Sequence, residues 1–315
     1  MLSWIFIAVV AARRHWLRSR QRPDQLSLPV IVIGNITVGG SGKTPFVIWL
    51  VERLREWGWR PGIVSRGYGG RPQKIPRVVT GDSSPQECGD EPVMMARRLN
   101  CPLVVCPDRL AAAQALVRLG TVDIILSDDG LQHYRLPRDL EIAVVDGAVG
   151  LGNGHRLPAG PLREAPSRLA SVDLVVIKGH GWSSAPQGST PPVVFRLEGA
   201  QAHALSRPQV RPLTEFVGQT VHAVAGIGTP ARFFGSLSRL GLRLIMHPFP
   251  DHHRYKPADL AFGDAHPVLM TEKDAIKCAR FKDDRLWHVP VNAEVSASDT
   301  ARVQELISKL KRKIT

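Results

Sequence analysis

The segment from Leu28 to Pro45 limits most what this chain can become. Leu28–Ile33 is a short run of Leu, Val and Ile broken only by Pro29, the pattern of a strand buried on both faces. It leads directly into Gly34-Asn35-Ile36-Thr37-Val38-Gly39-Gly40-Ser41-Gly42-Lys43-Thr44-Pro45. Gly39, Gly40 and Gly42 let the backbone curl so that successive amides point inward, and a following helix offers its positive end to an anion. The spacing is that of the G-x-x-x-x-G-K-[ST] phosphate loop, with Thr37 where the first glycine is usual. Lys43 is placed to reach β- and γ-phosphates, the Thr44 hydroxyl to meet Mg²⁺, and Pro45 to fit the first helical turn. Strand, loop, Gly-Lys-Thr and helix together favour nucleotide binding over an ordinary tight turn. The expected contacts are Thr37, Val38, Gly39, Gly40, Ser41, Gly42, Lys43 and Thr44.

Beyond the loop, apolar runs alternate with helix-length stretches. Leu28–Ile33, Gly62–Ser65, Leu103–Cys106, Asp123–Ser127, Ile142–Val145 and Leu174–Ile177 read as strands, and Pro45–Trp57 and Glu91–Leu99 as helices. This rhythm predicts an α/β fold, a mostly parallel sheet of P-loop NTPase type flanked by helices. The turn-rich stretch from Trp182 to Pro192 and an irregular one from Arg196 to Pro212 interrupt it. Val221–Ala225, Pro230–Leu240, Leu242–His247 and a final helix from Ala297 to Lys311 then predict a second, smaller α/β domain. The expected division is 1–22, 23–195 and 196–315, in keeping with a chain of 315 residues.

The amino terminus, Met1 to Ala12, is apolar and is followed at once by Arg13, Arg14, His15, Arg18, Arg20 and Arg22. A secretory signal carries its charge first, and twelve helical residues rise about 18 Å, too little to span a bilayer. Leu2, Ile5, Phe6, Val9, Val10, Trp16 and Leu17 fall on one helical stripe. The stripe predicts a membrane-associated helix rather than one packed on the protein's own core. Lys and Arg exceed Asp and Glu by 13 charges, which implies an anionic partner. No helix-turn-helix, zinc spacing or aromatic ladder accompanies that charge, so nucleic acid is not the expected one. Cys88, Cys101, Cys106 and Cys278 show no paired spacing and read as free, buried thiols.

Three clusters carry acid–base chemistry. Ser127-Asp128-Asp129-Gly130 ends a strand where a second Mg²⁺ contact belongs. Gly89-Asp90-Glu91-Pro92 starts a helix, where capping is the simplest role for Asp90. Pro250-Asp251-His252-His253-Arg254-Tyr255 lacks zinc spacing and fits general-base support.

Taken in order, these segments resemble the tetraacyldisaccharide 4′-kinases, the lipid A 4′-kinases of Gram-negative bacteria. The likeness rests on Thr37–Pro45, Ser65-Arg66-Gly67-Tyr68-Gly69, Gly89–Pro92 and Ser127-Asp128-Asp129-Gly130-Leu131-Gln132-His133. It continues through Leu157-Pro158-Ala159-Gly160-Pro161-Leu162-Arg163-Glu164, Gly226–Phe234, Phe249–His253 and Thr271-Glu272-Lys273-Asp274-Ala275. Thr37 matches the family's own loop. The resemblance implies transfer of the γ-phosphate of ATP, with Mg²⁺, to the 4′-hydroxyl of tetraacyldisaccharide 1-phosphate, at the cytoplasmic face of the inner membrane on an anionic leaflet. It implies Asp90 as catalytic base, His252 (or its neighbour His253) as partner, and Asp128, Asp129 and Glu164 near the metal. It places Arg66 and Tyr68 in a substrate or phosphate pocket or a structural turn. Lys178-Gly179 stands where the family's Asn-Gly is expected, a departure that bears on the contact to the nucleotide base. The alternative is a membrane-associated nucleotide-hydrolysing switch, against which stands the absence of Asn-Lys-x-Asp at Thr271–Asp274.

Overall fold

Eight strands in chain order, β1 (Val30–Gly34), β2 (Pro61–Ser65), β3 (Arg77–Val79), β4 (Leu103–Val105), β5 (Ile124–Asp128), β6 (Leu140–Asp146), β7 (Leu174–Lys178) and β8 (Val193–Glu198), build most of a larger sheet. A smaller sheet follows from β9 (Gln201–Ala204), β10 (Val210–Pro212), β11 (Thr220–Ala225), β12 (Arg243–Pro248), β13 (Val268–Thr271) and β14 (Leu286–Val289). The chain then returns to the larger sheet with β15 (Asn292–Val295). The helices are α1 (Lys43–Glu56), α2 (Pro85–Cys88), α3 (Asp90–Leu99), α4 (Arg109–Leu119), α5 (Pro230–Arg239), α6 (Glu272–Cys278) and α7 (Ala297–Ser308). This computed structural model describes residues 26–71, 74–182 and 191–310, with Ala12 and Trp16. Apart from Trp16, the stripe expected to anchor the amino terminus lies outside the described residues.

The larger sheet has the order β15-β8-β7-β6-β1-β5-β2-β4-β3 and is parallel except at its two edges, where β15 and β3 run antiparallel. Its central strands are buried on both faces, which is why they read as unbroken Val and Ile runs. Alternate residues feed two cores. Ile31, Ile33, Leu126, Ile142 and Val144 join Phe46, Leu50, Leu54 and Met95 on one face. Val30, Val32, Ile125, Ala143 and Val145 join Ala112, Ala113 and Leu116 on the other. β1 lies between β5 and β6, so the strand order reverses there and the loops leaving the carboxyl ends of β1 and β5 open into one crevice.

The smaller sheet has the order β10-β9-β14-β13-β11-β12, parallel from β14 to β12. Two expectations change. The stretch from Arg196 to Pro212 is ordered: it contains the end of β8, all of β9 and β10, held by antiparallel pairing rather than by any apolar run of its own. The final helix, expected in the smaller unit, packs on the larger sheet, because Val303 and Ile307, four residues apart and each 1% exposed, close the core over α1. Among the described residues no helix is long and apolar enough to cross a membrane.

Candidate active site

The glycine loop leaves β1 at the crevice and enters α1 through Gly42, which takes φ 85° in the left-handed region. A side chain at Gly42 would also strike Lys178, whose Cδ lies 2.7 Å from where a Cβ would stand, so only glycine fits. No side chain caps α1, and the first-turn amides of this helix are left for a ligand. The loop leans on the Leu157–Glu164 segment. Val38 N donates to Pro161 O at 2.8 Å, Arg163 N donates to Ile36 O at 2.7 Å, and Thr37 bridges Leu162. That explains why these two distant motifs occur together.

β1 pairs with β5 so that Ile33 stands opposite Asp128, which brings the Asp128-Asp129 pair to the loop. Ser65 Oγ donates to Asp128 Oδ2 at 3.1 Å, while Asp128 Oδ1 is buried with no protein partner. Burial first, and then the Glu91 and Asp129 carboxylates, push Asp128 up to about 7. Asp129, with φ 50°, faces cations instead: Lys43 Nζ lies 3.5 Å away, and Arg163 Nη1 donates to both its oxygens at 3.1 and 3.0 Å. Burial works to raise Asp129, but Lys43 and Arg163 outweigh it and hold the carboxyl below its ordinary range. Thr44 Oγ1 lies 3.5 Å from Glu91 Oε2. Asn35 Oδ1, Ser41 Oγ and Ser127 Oγ are buried without partners around the same loop. Orphaned oxygens beside a lone carboxylate oxygen are what a hydrated divalent cation and a polyphosphate satisfy, so the residues present fit Mg²⁺ with a nucleotide.

Glu164, the other acid expected near the metal, has protein partners of its own. Its oxygens accept from Gln132 Nε2 at 2.8 Å and from the Tyr134 hydroxyl, and Arg168 Nε lies 3.6 Å away. Among the described residues no three His, Cys, Asp or Glu side chains form a metal-ligand cluster. Gln132 links Glu164 to Arg163: its Nε2 donates to Glu164, and its Oε1 is 3.4 Å from Arg163 Nη1.

Asp90 is not a cap. Gly89 takes the cap position with φ 90°, and a Cβ there would meet Tyr68 O at 2.4 Å. Asp90 opens α3 with its side chain turned to the smaller unit, where His252 Nδ1 lies 3.0 Å from Asp90 Oδ2. His252 holds φ 61°, and its ring meets that of Tyr68 edge-on at 5.5 Å. His253 points elsewhere: Nε2 lies 3.0 Å from Asp259, and the ring packs against Phe249 and Tyr255. The structure thus separates two histidines that the sequence left equivalent. Gly69, Asp90, His252, Arg254, Lys277 and Arg280 line one cleft. Tyr68 stands at its rim, 71% exposed, and Arg66 is exposed on the same loop.

Lys178 closes the far side of the loop. Its Nζ donates to Asp146 Oδ2 at 2.7 Å, and Arg232 from the smaller unit pairs with the same oxygen. Burial lowers Lys178 despite Asp146. Two neighbours of the site gave little sign in the sequence. Glu91 was visible only as the second carboxylate of Gly-Asp-Glu-Pro. Arg109, 2% exposed, donates to Cys106 O at 2.8 Å, and burial lowers it to about 10 against the pull of Asp128 and Asp129. An arginine in the first turn of α4 reads as a surface residue until the fold buries it.

A mainly parallel α/β sheet with a glycine loop, a lysine and buried carboxylates at its switch point defines the class of α/β phosphotransferases. The family model for tetraacyldisaccharide-1-P 4′-kinase, LpxK, matches residues 1–311. Tetraacyldisaccharide 4′-kinase of Nitrosococcus oceani is 52% identical over 288 residues, 91% of this chain and 83% of the relative. That of Alkalilimnicola ehrlichii is 51% identical over 311 residues, 98% and 92% of the two chains. A crystal structure of LpxK from Aquifex aeolicus in complex with ATP superposes with a TM-score of 0.80 at 27% identity, covering 98% of this chain and 96% of that one. The chain belongs to the tetraacyldisaccharide 4′-kinase family.

Proposed function

We propose that this protein transfers the γ-phosphate of ATP to the 4′-hydroxyl of tetraacyldisaccharide 1-phosphate, the step that yields the bisphosphorylated lipid A precursor. One observation carries the reading. In a chain of this family, the buried Asp90 carboxylate pairs with His252 in one cleft, and its neighbour Glu91 reaches Thr44 of the glycine loop. Residues 37–44 cradle the triphosphate with their amides, and Lys43, steadied by Asp129, neutralises its terminal group. Thr44 and Asp128 would hold Mg²⁺, with Glu91 and Asp129 around them, and the ion would supply positive charge against the phosphates of the nucleotide. Asp90 takes the proton of the 4′-hydroxyl as the oxygen attacks phosphorus and ADP leaves, and His252 orients Asp90. Arg66 and Tyr68 border the sugar, and Glu164 keeps Arg163 and the loop in register. The nucleotide-binding unit is the larger sheet with α7, and the smaller sheet forms the second unit. The amino-terminal stripe and the excess of 13 positive charges hold the enzyme on the anionic cytoplasmic leaflet of the inner membrane, where only the headgroup of its substrate is exposed.

Label transfer from γ-labelled ATP to purified disaccharide lipid tests this. Labelled lipid with the wild type and none with Lys43→Ala is the expected result. Free labelled phosphate with unmodified lipid would instead mark a nucleotide-hydrolysing switch.

A further inference from the structure

The cation nearest Asp90, apart from the histidine, arrives from the far side of the cleft. Lys277 projects from α6, 5% exposed, and its Nζ lies 3.9 Å from Asp90 Oδ2. The lysine is itself pinned. It donates to Asp274 Oδ1 at 2.8 Å, and it sits over the Tyr255 ring, 5.1 Å from the centroid. Asp274 is fully enclosed, and its other oxygen accepts from Thr271 Oγ1 at 2.7 Å and from Gly226 N at 2.9 Å. Both oxygens of Asp274 are thereby engaged, one by the ammonium and the other by Thr271 and Gly226. A buried carboxylate is tolerated when its charge is paired, and here two carboxylates share one lysine. One turn earlier, Lys273 Nζ lies 3.5 Å from Glu91 and 3.4 Å from Asp251. The two lysines of α6 therefore face the two acids that open α3.

We propose that Lys277 is a positioning residue for phosphoryl transfer: anchored by Asp274, it supplies the counter-charge of Asp90 and fixes the direction in which that carboxylate faces the acceptor hydroxyl. This rests on Asp90 being the base. The groups facing Asp90 are His252 from the loop after β12, Lys277 and Lys273 from α6, and Glu91 on its own helix, with Arg254 and Arg280 in the same cleft. As the sugar oxygen bonds to phosphorus, its proton passes to Asp90 and ADP departs with the bridging oxygen. Because the cation comes from the smaller unit, Asp90 is completed only where the two units meet.

The test compares Lys277→Met, Lys277→Arg, Asp90→Asn and the double variant Asp90→Asn/Lys277→Met, with kcat, KM and ATP affinity measured from about pH 6 to 9. Lys277→Met is expected to lower kcat about tenfold or more near neutrality, less at alkaline pH, with ATP affinity unchanged. Lys277→Arg recovers most of the loss, and Lys277→Met costs nothing further once Asp90 is Asn. If Lys277→Met does not fold, Lys277→Gln is read in the same way. Wild-type kcat without the lysine charge overturns the proposal, as does a loss that is equal at every pH and not recovered by arginine. Wild-type turnover in Asp90→Asn removes the base itself. An impaired Asp90→Asn beside a silent Lys277→Met removes only the lysine.

Discussion

His252 holds a left-handed backbone, φ 61°, that non-glycine residues adopt at a cost of roughly 1–2 kcal/mol. Asp251 accepts from its amide at 3.0 Å, and the turn aims the ring at Asp90. His253, one residue on, is a packing residue held by Phe249, Tyr255 and Asp259. His252→Ala is expected to lower kcat about 10²-fold or more with ATP affinity kept, whereas His253→Ala lowers stability by about 1 kcal/mol and kcat little. Steady-state kinetics and thermal melts on both variants separate the roles; equal kinetic losses would reject the assignment. The two histidines stand side by side in the chain, and only the turn tells them apart. A third histidine makes a stability prediction. Burial first, then His203, Arg97 and Arg98, lower His288 to about 4, and its Nδ1 has no hydrogen-bond partner. The unfolded chain takes up this proton near pH 6.5 and the folded chain only near 4, so stability drains away as pH falls through that window, on the order of 2–3 kcal/mol in all. His288→Gln should flatten the pH dependence of urea unfolding between those limits, and an unchanged slope would refute the cause.

Elements with two buried faces declared themselves in the sequence, because every residue of β1, β5 and β6 is buried and the composition is mostly apolar, with the polar exceptions Ser127, Asp128, Glu141 and Asp146 near strand ends. Several strands that escaped notice lie at or near sheet edges (β3, β15, β9 and β10), although β13 and β14, inside the smaller sheet, escaped as well. β9 and β10 have no Val or Ile run, and are strands only because β14 and each other supply partners. The carboxyl-terminal helix was legible as a helix and misplaced as to neighbours: its stripe shows that it packs, not against what. Ile307 sits in the larger core, 1% exposed, together with Val303 and partly buried Leu306 and Leu310. Ile307→Ala should therefore cost about 2–4 kcal/mol in urea unfolding of the larger unit, although it lies eight residues from the end of the chain. A cost below about 0.5 kcal/mol, the scale of a surface change, would mean that α7 is not docked there. The glycine loop was readable for a different reason. Its spacing is dictated by phosphate rather than by packing, and the Leu157–Glu164 segment that supports it was visible as a motif but not as a neighbour.

Between the two sheets the described contacts at the site are mostly polar. His252 meets Asp90, Lys273 meets Glu91, Arg232 meets Asp146, and Arg98 of α3 donates to Glu272 Oε2 of α6 at 3.1 Å. No single-segment reading could foresee such pairs, since each joins residues far apart in the chain. Arg98 also donates to Val291 O at 3.1 Å and to Asn292 Oδ1, which ties the returning strand β15 to the same point. Burial raises Glu272, and Arg98 works against it. A pair this enclosed owes its importance less to its own attraction than to the charge left behind when one partner goes. Arg98→Met should destabilise the protein by about 3–5 kcal/mol, since it strands the Glu272 carboxylate and releases β15 as well. Glu272→Gln alone should cost less, because glutamine still accepts from Arg98. Combining the two should recover part of the Arg98→Met loss, giving a coupling energy on the order of 1–3 kcal/mol in a double-mutant cycle by urea unfolding. Strict additivity would show that Arg98 matters through its contacts to Val291 and Asn292 alone, and that the two units are not joined through this ion pair.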